Sequence, residues 1–256
     1  MLRSVKALVG FTISASDGDI GGVKTLYFDD QHWTVRYFVV ETGGWLADRS
    51  VLISPVCVRR PEWERRRLPV ALTTAEVKDS PGVDARRPIS RQYEIAFSQH
   101  YGIPHYWPGD VGAVPYPLAP PCASGAIANE LHAHVEQQEI EDQQLRSTED
   151  VRGCRLRTTD GDLGHVDDFL VEDLTWRIRY LVVDTRNWWP GKHVLVAPEW
   201  IEAVSWADSA VHVALSSDTV RNAPPYDASR PVDRRYEQTL YAYYGRAGYW
   251  EERAAA

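Results

Sequence analysis

Shifted along itself by 143 residues, the chain aligns without a gap from Leu2–Trp107 onto Leu145–Trp250. About one paired position in three is identical, and the matches reach both ends of the unit. Leu2-Arg3-Ser4 meets Leu145-Arg146-Ser147, and Tyr106-Trp107 meets Tyr249-Trp250. Solenoid repeats run to only about 20–50 residues, so two copies this long are expected to be separate folding units. The division that follows is a first repeat at 1–107, a linker at 108–144, a second repeat at 145–250 and a short tail at 251–256. The repeat is also an internal control. A residue kept in both copies answers to the shared fold, and a residue found in one copy is where a specialised role can reside.

Each repeat is large enough to bury its own core. The chain is 44% hydrophobic and 25% charged, which suits a globular protein. Its ten Trp and thirteen Tyr against five Phe and one Met weight the aromatics toward side chains with a polar handle, fit for sheet faces and contact surfaces. The opening Met-Leu-Arg-Ser-Val-Lys has no apolar stretch of the kind a secretory signal carries. No apolar run approaches the roughly 20 residues of a membrane span. Cys57, Cys122 and Cys154 are too few and too scattered for a disulfide framework. The expectation is a reduced, cytoplasmic chain, with a peripheral place at the inner face of a membrane as the alternative.

Strand signals dominate the first part of each repeat. Val5–Ser16 and Asp19–Asp29 flank Ser-Asp-Gly-Asp, and Val151–Thr159 and Leu163–Glu172 flank Thr-Asp-Gly-Asp. Asp-Gly between two strand patterns predicts a hairpin. Gly21 and Gly164, just inside the second strand, predict a bulge or a close backbone approach. Trp33–Thr42 and Trp176–Thr185 are the most β-prone segments. Short strands are expected at Ser50–Ser54 and His193–Ala197, then at Val56–Arg60 with Leu68–Leu72, and at Trp200–Val204 with Ala210–Leu215. Helical turns follow at Thr73–Ser80 and Ser216–Asn222, and longer helices at Ser90–Tyr101 and Asp233–Tyr244 that close on Gly102 and Gly245. Tyr93, Phe97 and Tyr101, matched by Tyr236, Leu240 and Tyr244, lie along one face of that helix and predict packing. The predicted fold class is mainly β with short α: two tandem small antiparallel β-barrels, each with a C-terminal helical tail. The linker begins Pro-rich and ends as an expected solvated helix at Ala126–Gln144. It holds six acidic and no basic residues, over half of the net charge of −8.

The ordered motifs resemble the PRC-barrel family, named for the H subunit of the photosynthetic reaction centre. They are Leu2-Arg3-Ser4 leading to Gly10, Asp17-Gly18-Asp19-Ile20-Gly21-Gly22-Val23, Asp29-Asp30, Trp33–Val40 and Val51-Leu52-Ile53-Ser54-Pro55. The second copy repeats them as Gly153, Asp160–Gly164, Asp173, Trp176–Val183 and Val194–Pro198. The resemblance implies a small β-barrel used as an adaptor, in contexts such as reaction-centre or ribosome assembly. It carries no shared catalytic motif and implies no cofactor. The chain departs from the H subunit in having no N-terminal membrane helix.

The residues themselves offer few catalytic or metal-binding patterns. Asp17/Asp19 and Asp160/Asp162 miss the later ligands of a calcium loop, so hairpin turns are the better reading. His132 and His134 have no companions at structural-zinc spacing. The recurring carboxylates Asp30/Asp173, Glu94/Glu237 and Asp84/Asp227 read as capping and ion-pair residues. Two features are copy-specific. Arg59, Arg60, Arg65, Arg66 and Arg67 bracket a Pro-Glu-Trp-Glu hairpin where the second copy has Glu202-Ala203 and Asp208-Ser209-Ala210. Trp188 and Trp189 stand in a loop where the first copy has Trp45. These eight Arg and Trp residues are the candidate partner contacts. The expected function is non-enzymatic: an interaction or assembly adaptor for a protein partner, with an anionic membrane surface as the alternative partner. The alternative functions are the photosynthesis-linked accessory protein at a membrane face that the resemblance implies and, ranked below it, a small-molecule-binding protein or enzyme. Specific nucleic-acid binding is disfavoured by the acidic balance, and homo-oligomerisation stays open.

Overall fold

The computed structural model describes residues 1–46, 49–83, 89, 91–103, 106, 145–185 and 192–251. The first repeat forms β1 (Leu2–Ser4), α1 (Val5–Leu8), β2 (Thr12–Ser14), β3 (Asp19–Asp29), β4 (Thr34–Glu41), β5 (Ser50–Ile53), β6 (Arg67–Pro69), α2 (Thr74–Lys78) and α3 (Arg91–Tyr101). The second forms β7 (Leu145–Ser147), α4 (Thr148–Val151), β8 (Arg155–Thr158), β9 (Gly161–Glu172), β10 (Ile178–Asp184), β11 (His193–Val196), β12 (Ile201–Ser205), β13 (Ala210–Val213), α5 (Ser217–Asn222), β14 (Pro225–Tyr226) and α6 (Arg234–Tyr244). The chain is mainly β with short helices, arranged in two sheets. Among the described residues no helix is long and apolar enough to cross a membrane.

The predicted hairpin turns connect β2 to β3 and β8 to β9, both antiparallel. Their aspartates also start the next helix. Asp17 accepts from the backbone N–H and hydroxyl of Thr74 at 2.8 and 2.9 Å, and Asp160 accepts from the Ser217 N–H at 2.7 Å. Those donors hold both carboxyls below the usual carboxylate range. The turn therefore ties the first hairpin to α2 and α5. Gly21 and Gly164 lie where β3 and β9 press against the ends of β4 and β10. A Cβ at either would sit 1.9 Å from the carbonyl oxygen of Glu41 or Asp184. Close approach, not turn geometry alone, demands glycine here.

β4 and β10 form the middle of each core. Every residue of β10 is buried, and every residue of β4 but Glu41. That burial explains why Phe38-Val39-Val40 and Leu181-Val182-Val183 read as continuous apolar runs without alternation. On α3, Phe97 and Tyr101 pack inward, with the Phe97 ring edge-on to Tyr37 at 4.9 Å. Asp233 caps α6 by accepting from the Tyr236 N–H at 2.8 Å, and Gly245 ends it with φ +63°.

Several expectations need correction. Val5–Ser16 and Val151–Thr159 are not continuous strands: α1 and α4 precede the short β2 and β8. The sheets are not wholly antiparallel, since β2 pairs with β6, and β8 with β13, in parallel. Hairpin logic reads direction only for sequence neighbours, whereas β6 reaches β2 after three intervening strands. The strand orders, β5-β4-β3-β2-β6 and β12-β13-β8-β9-β10-β11-β14, do not close into a ring among the described residues. In the first repeat Val56–Arg60 is no strand. A 3₁₀ turn at Pro55–Cys57 and one bridge from Val58 to Val70 stand in its place. Cys57 is engaged in a disulfide, against the expectation of a reduced chain, while Cys154 is free and buried.

The chain divides into two compact units that follow the repeats except at three segments, the opening six residues of the chain, the opening four of the second repeat and Leu174–Arg177. The first-repeat unit comprises Ala7–Thr148 with Leu174–Arg177, and the second-repeat unit comprises Met1–Lys6, Glu149–Asp173 and Ile178–Ala256. Each repeat thus gives its opening strand to the other unit: β1 pairs with β9, and β7 with β3.

Candidate functional site

Three places in each unit bring polar side chains together: the strand seam, a buried carboxylate under the tail helix, and the hairpin that follows the central strands. At the seam of the second-repeat unit, Asp168 is buried. It accepts from the Ser4 hydroxyl, from the Lys6 N–H at 3.0 Å and from the Phe169 N–H at 2.8 Å. Burial pushes its carboxyl up against the pull of these donors. In the first-repeat unit the equivalent residue is Thr25, whose hydroxyl meets Ser147 at 3.1 Å and Thr148 at 3.2 Å. The arms carry a common ion pair, Arg3 to Asp173 at 3.4 Å and Arg146 to Asp30 at 3.2 Å.

Under α3, Glu94 is 1% exposed. One carboxylate oxygen accepts from Tyr106 at 2.8 Å and Tyr37 at 3.3 Å, and the other accepts from Arg91 at 2.9 Å. Arg36 lies over the Tyr106 ring at 3.9 Å and pairs with buried Asp29 at 2.7 Å. Burial pushes the Glu94 carboxyl up to about 7, opposed by Arg91 and the two phenols. The second repeat builds the same cluster. Glu237 accepts from Tyr249 at 2.8 Å and Tyr180 at 2.9 Å and pairs with Arg234 at 3.1 Å, while Arg179 covers the Tyr249 ring at 4.1 Å. These donors use both oxygens of each carboxylate to pin the tail helix to the central strand. The expected ion-pair role of Glu94 and Glu237 is what the geometry shows. That Tyr106 and Tyr249 join the cluster was missed; their recurrence in both tails was the available signal.

The five arginines of the Arg59–Arg67 hairpin separate into two groups. Arg66 has φ +53°, donates to the Val9 carbonyl at 3.1 Å and lies over the Phe11 ring at 5.0 Å. Arg67 pairs with Asp19 and donates to Ser14 at 3.0 Å. Both are fold residues as much as surface. Arg65 is 79% exposed and only 3.7 Å from its neighbour Glu62, while Arg59 and Arg60 are exposed with no side-chain partner among the described residues. In the second repeat the hairpin presents exposed Glu202 and Asp208, the latter accepting from Ser205 at 2.8 Å. Trp45 is 43% exposed, and its indole N–H is tied to the Ile20 carbonyl at 2.6 Å. Trp188 and Trp189, His132 and His134, Asp84 and the linker lie outside the described residues.

A further repeated feature went unread in the sequence. Trp33 and Trp176 hold φ of +52° and +56°, a region bulky residues avoid at a cost of about 1–3 kcal/mol. Both rings are buried, Trp33 stacked on Phe28 at 5.2 Å and Trp176 edge-on to Phe38 at 4.9 Å. Burying a ring of this size offsets such strain.

The described residues thus define a β-rich, two-sheet class of fold in which the opening strand of each repeat pairs in the other sheet. Compared with known families, residues 145–218, from β7 into α5, match the PRC-barrel domain. No curated protein matches the chain.

Proposed function

We propose that this chain is a non-enzymatic interaction module built from two PRC-barrel-like domains. In this reading the first repeat contacts an acidic protein partner through Arg59, Arg60 and Arg65. The observation that carries it is the copy-specific hairpin. Three arginines stand exposed without a strong partner on one repeat, while the same hairpin of the other presents Glu202 and Asp208. What the two repeats share is absorbed by their own folds, so the difference between them is the part left for a partner. The first repeat counts as the same domain type as the second on the gapless sequence match, the matching elements and the matching Glu94 and Glu237 clusters.

An exposed arginine contributes little by itself, and a cluster gains through steering and mutual reinforcement. The test measures binding of the full chain to an acidic peptide, polyglutamate, and to vesicles containing anionic lipid. The comparison is the variant Arg59→Ser/Arg60→Ser/Arg65→Ser. Peptide binding weakened tenfold or more by the variant supports the reading, and unchanged peptide binding overturns it. Arginine-dependent binding to vesicles alone moves the partner from a protein to a membrane face.

A further inference from the structure

We infer that the seam strands β1 and β7 are docking elements for a second copy of this chain, so that two chains can pair by exchanging them. The argument starts from the register. Leu2, Arg3 and Ser4 lie opposite Glu172, Val171 and Leu170; Leu145, Arg146 and Ser147 lie opposite Asp29, Phe28 and Tyr27. These are equivalent positions of the two repeats, and the arms have the same sequence, Leu-Arg-Ser.

The groups that recognise the arms also recur. The arm arginine meets Asp173 in one seam and Asp30 in the other, and the arm serine meets Asp168 or Thr25. The arms end in buried residues, Val5 at 2% exposure and Thr148 at 2%. Each compact unit needs an arm, but nothing in the recognition says which molecule supplies it. An arm from another copy presents the same backbone, the same guanidinium and the same hydroxyl.

What favours closure within one chain is the covalent tether through residues 108–144. A covalent tether raises the local concentration of one unit about the other, to roughly millimolar for short flexible linkers and less for longer ones. Pairing within the chain therefore dominates at micromolar concentration. Pairing between copies becomes competitive as the protein approaches millimolar, or when refolding occurs in a crowded assembly. Exchange of an identical element is a low-cost route to such a dimer because it requires no new interface. This inference does not depend on the arginine hairpin.

The experiment uses the full chain carrying Leu2→Cys and Glu172→Cys, which stand opposite each other in the seam. Isotopically heavy and light chains are unfolded together, refolded at low micromolar and at near-millimolar concentration, and oxidised. Mass spectrometry then reads the link between positions 2 and 172. Within-chain pairing yields heavy–heavy and light–light links alone; exchange between copies yields mixed links. The expected result is negligible mixing in dilute solution, rising toward half of all links in the concentrated sample. Links that stay unmixed at both concentrations overturn the inference, including in a sample that dimerises. Should the cysteine variant fail to fold, the unmodified chain is refolded at the same concentrations and its mass measured by light scattering. A doubled mass formed in the concentrated sample alone and kept on dilution until the protein is unfolded supports exchange, because exchanged arms must detach before they can re-pair within a chain. A mass that halves at once on dilution, or a single-chain mass throughout, overturns it.

Discussion

Asp19 and Asp162 occupy the same place after the first hairpin of each repeat, yet their charges are neutralised from different strands. Asp19 pairs with Arg67 from β6, whereas Asp162 pairs with Arg155 at 3.3 Å and Arg157 at 3.1 Å from β8. At the seams, buried Asp168 in one unit corresponds to Thr25 in the other. By contrast Gly21 and Gly164, Glu94 and Glu237, and Trp33 and Trp176 are unchanged. Positions where backbone meets backbone, and the carboxylates that pin the tail helices, keep one solution. The exposed hairpin aspartates and the buried seam position each accept two. An arginine can therefore look functional by its neighbours and be structural by its contacts, as Arg67 is.

The comparison breaks most visibly if the shared positions respond differently. Gly21→Ala and Gly164→Ala should each destabilise their own unit by on the order of 3 kcal/mol or more, because the new methyl meets backbone that cannot move away. Urea denaturation of the full chain measures both, and tolerance of either one would end the claim of equal geometry.

The buried carboxylate sets the next effect. The Glu94 pKa is raised on folding from 4.5 to about 7, so its contribution to stability is complete below about pH 4.5 and is lost as pH rises through about 7. A raised pKa of this size is worth at most about 3 kcal/mol of stability across that range. Denaturation midpoints of the first-repeat unit between pH 5 and 8 should fall with rising pH, and Glu94→Gln should flatten the profile. An unchanged slope in that variant assigns the pH response to other groups.

The seams sharpen the comparison further. Ser4→Ala removes a hydrogen bond to a charged partner and should cost about 2 kcal/mol, while Ser147→Ala removes a neutral one and should cost about 1 kcal/mol. Thermal unfolding of the two variants orders them, and the reverse order would mean that Asp168 is held well enough by Lys6 and Phe169 alone. The smallest effect belongs to the hairpin. Changing Arg59, Arg60 and Arg65 to Ser should shift stability by no more than about 0.5 kcal/mol for each substitution. A larger loss in the same denaturation assay would make those arginines fold residues, like Arg66 and Arg67.

Much of the fold was legible because it is local. Asp17-Gly18 and Asp160-Gly161 announce hairpins, Gly21 and Gly164 announce close approach, and Asp233 with Gly245 bound a helix. Each of these needs only a few neighbouring residues to take effect. The carboxylate cluster was half legible: Glu94 and Glu237 stood out by recurrence, but their phenolic partners lie 12 residues further on and on another strand. The division of the arginine run was not legible, since Val9, Ser14 and Asp19 are distant in sequence from residues 66 and 67.

The sequence by itself determined the repeat, the central strands and the tail helices within it, and the glycines and caps that local backbone geometry requires. Only the tertiary structure decided that Leu2–Ser4 pairs with Leu170–Glu172 and Leu145–Ser147 with Tyr27–Asp29, and that β6 and β13 run parallel to β2 and β8. The physical reason is that a strand's pattern specifies which face it buries, while its unpaired N–H and C=O groups are the same on every strand. Which edge they meet depends on the path of the whole chain. Here two identical Leu-Arg-Ser arms could satisfy either edge, and the fold assigns each to the sheet of the other repeat.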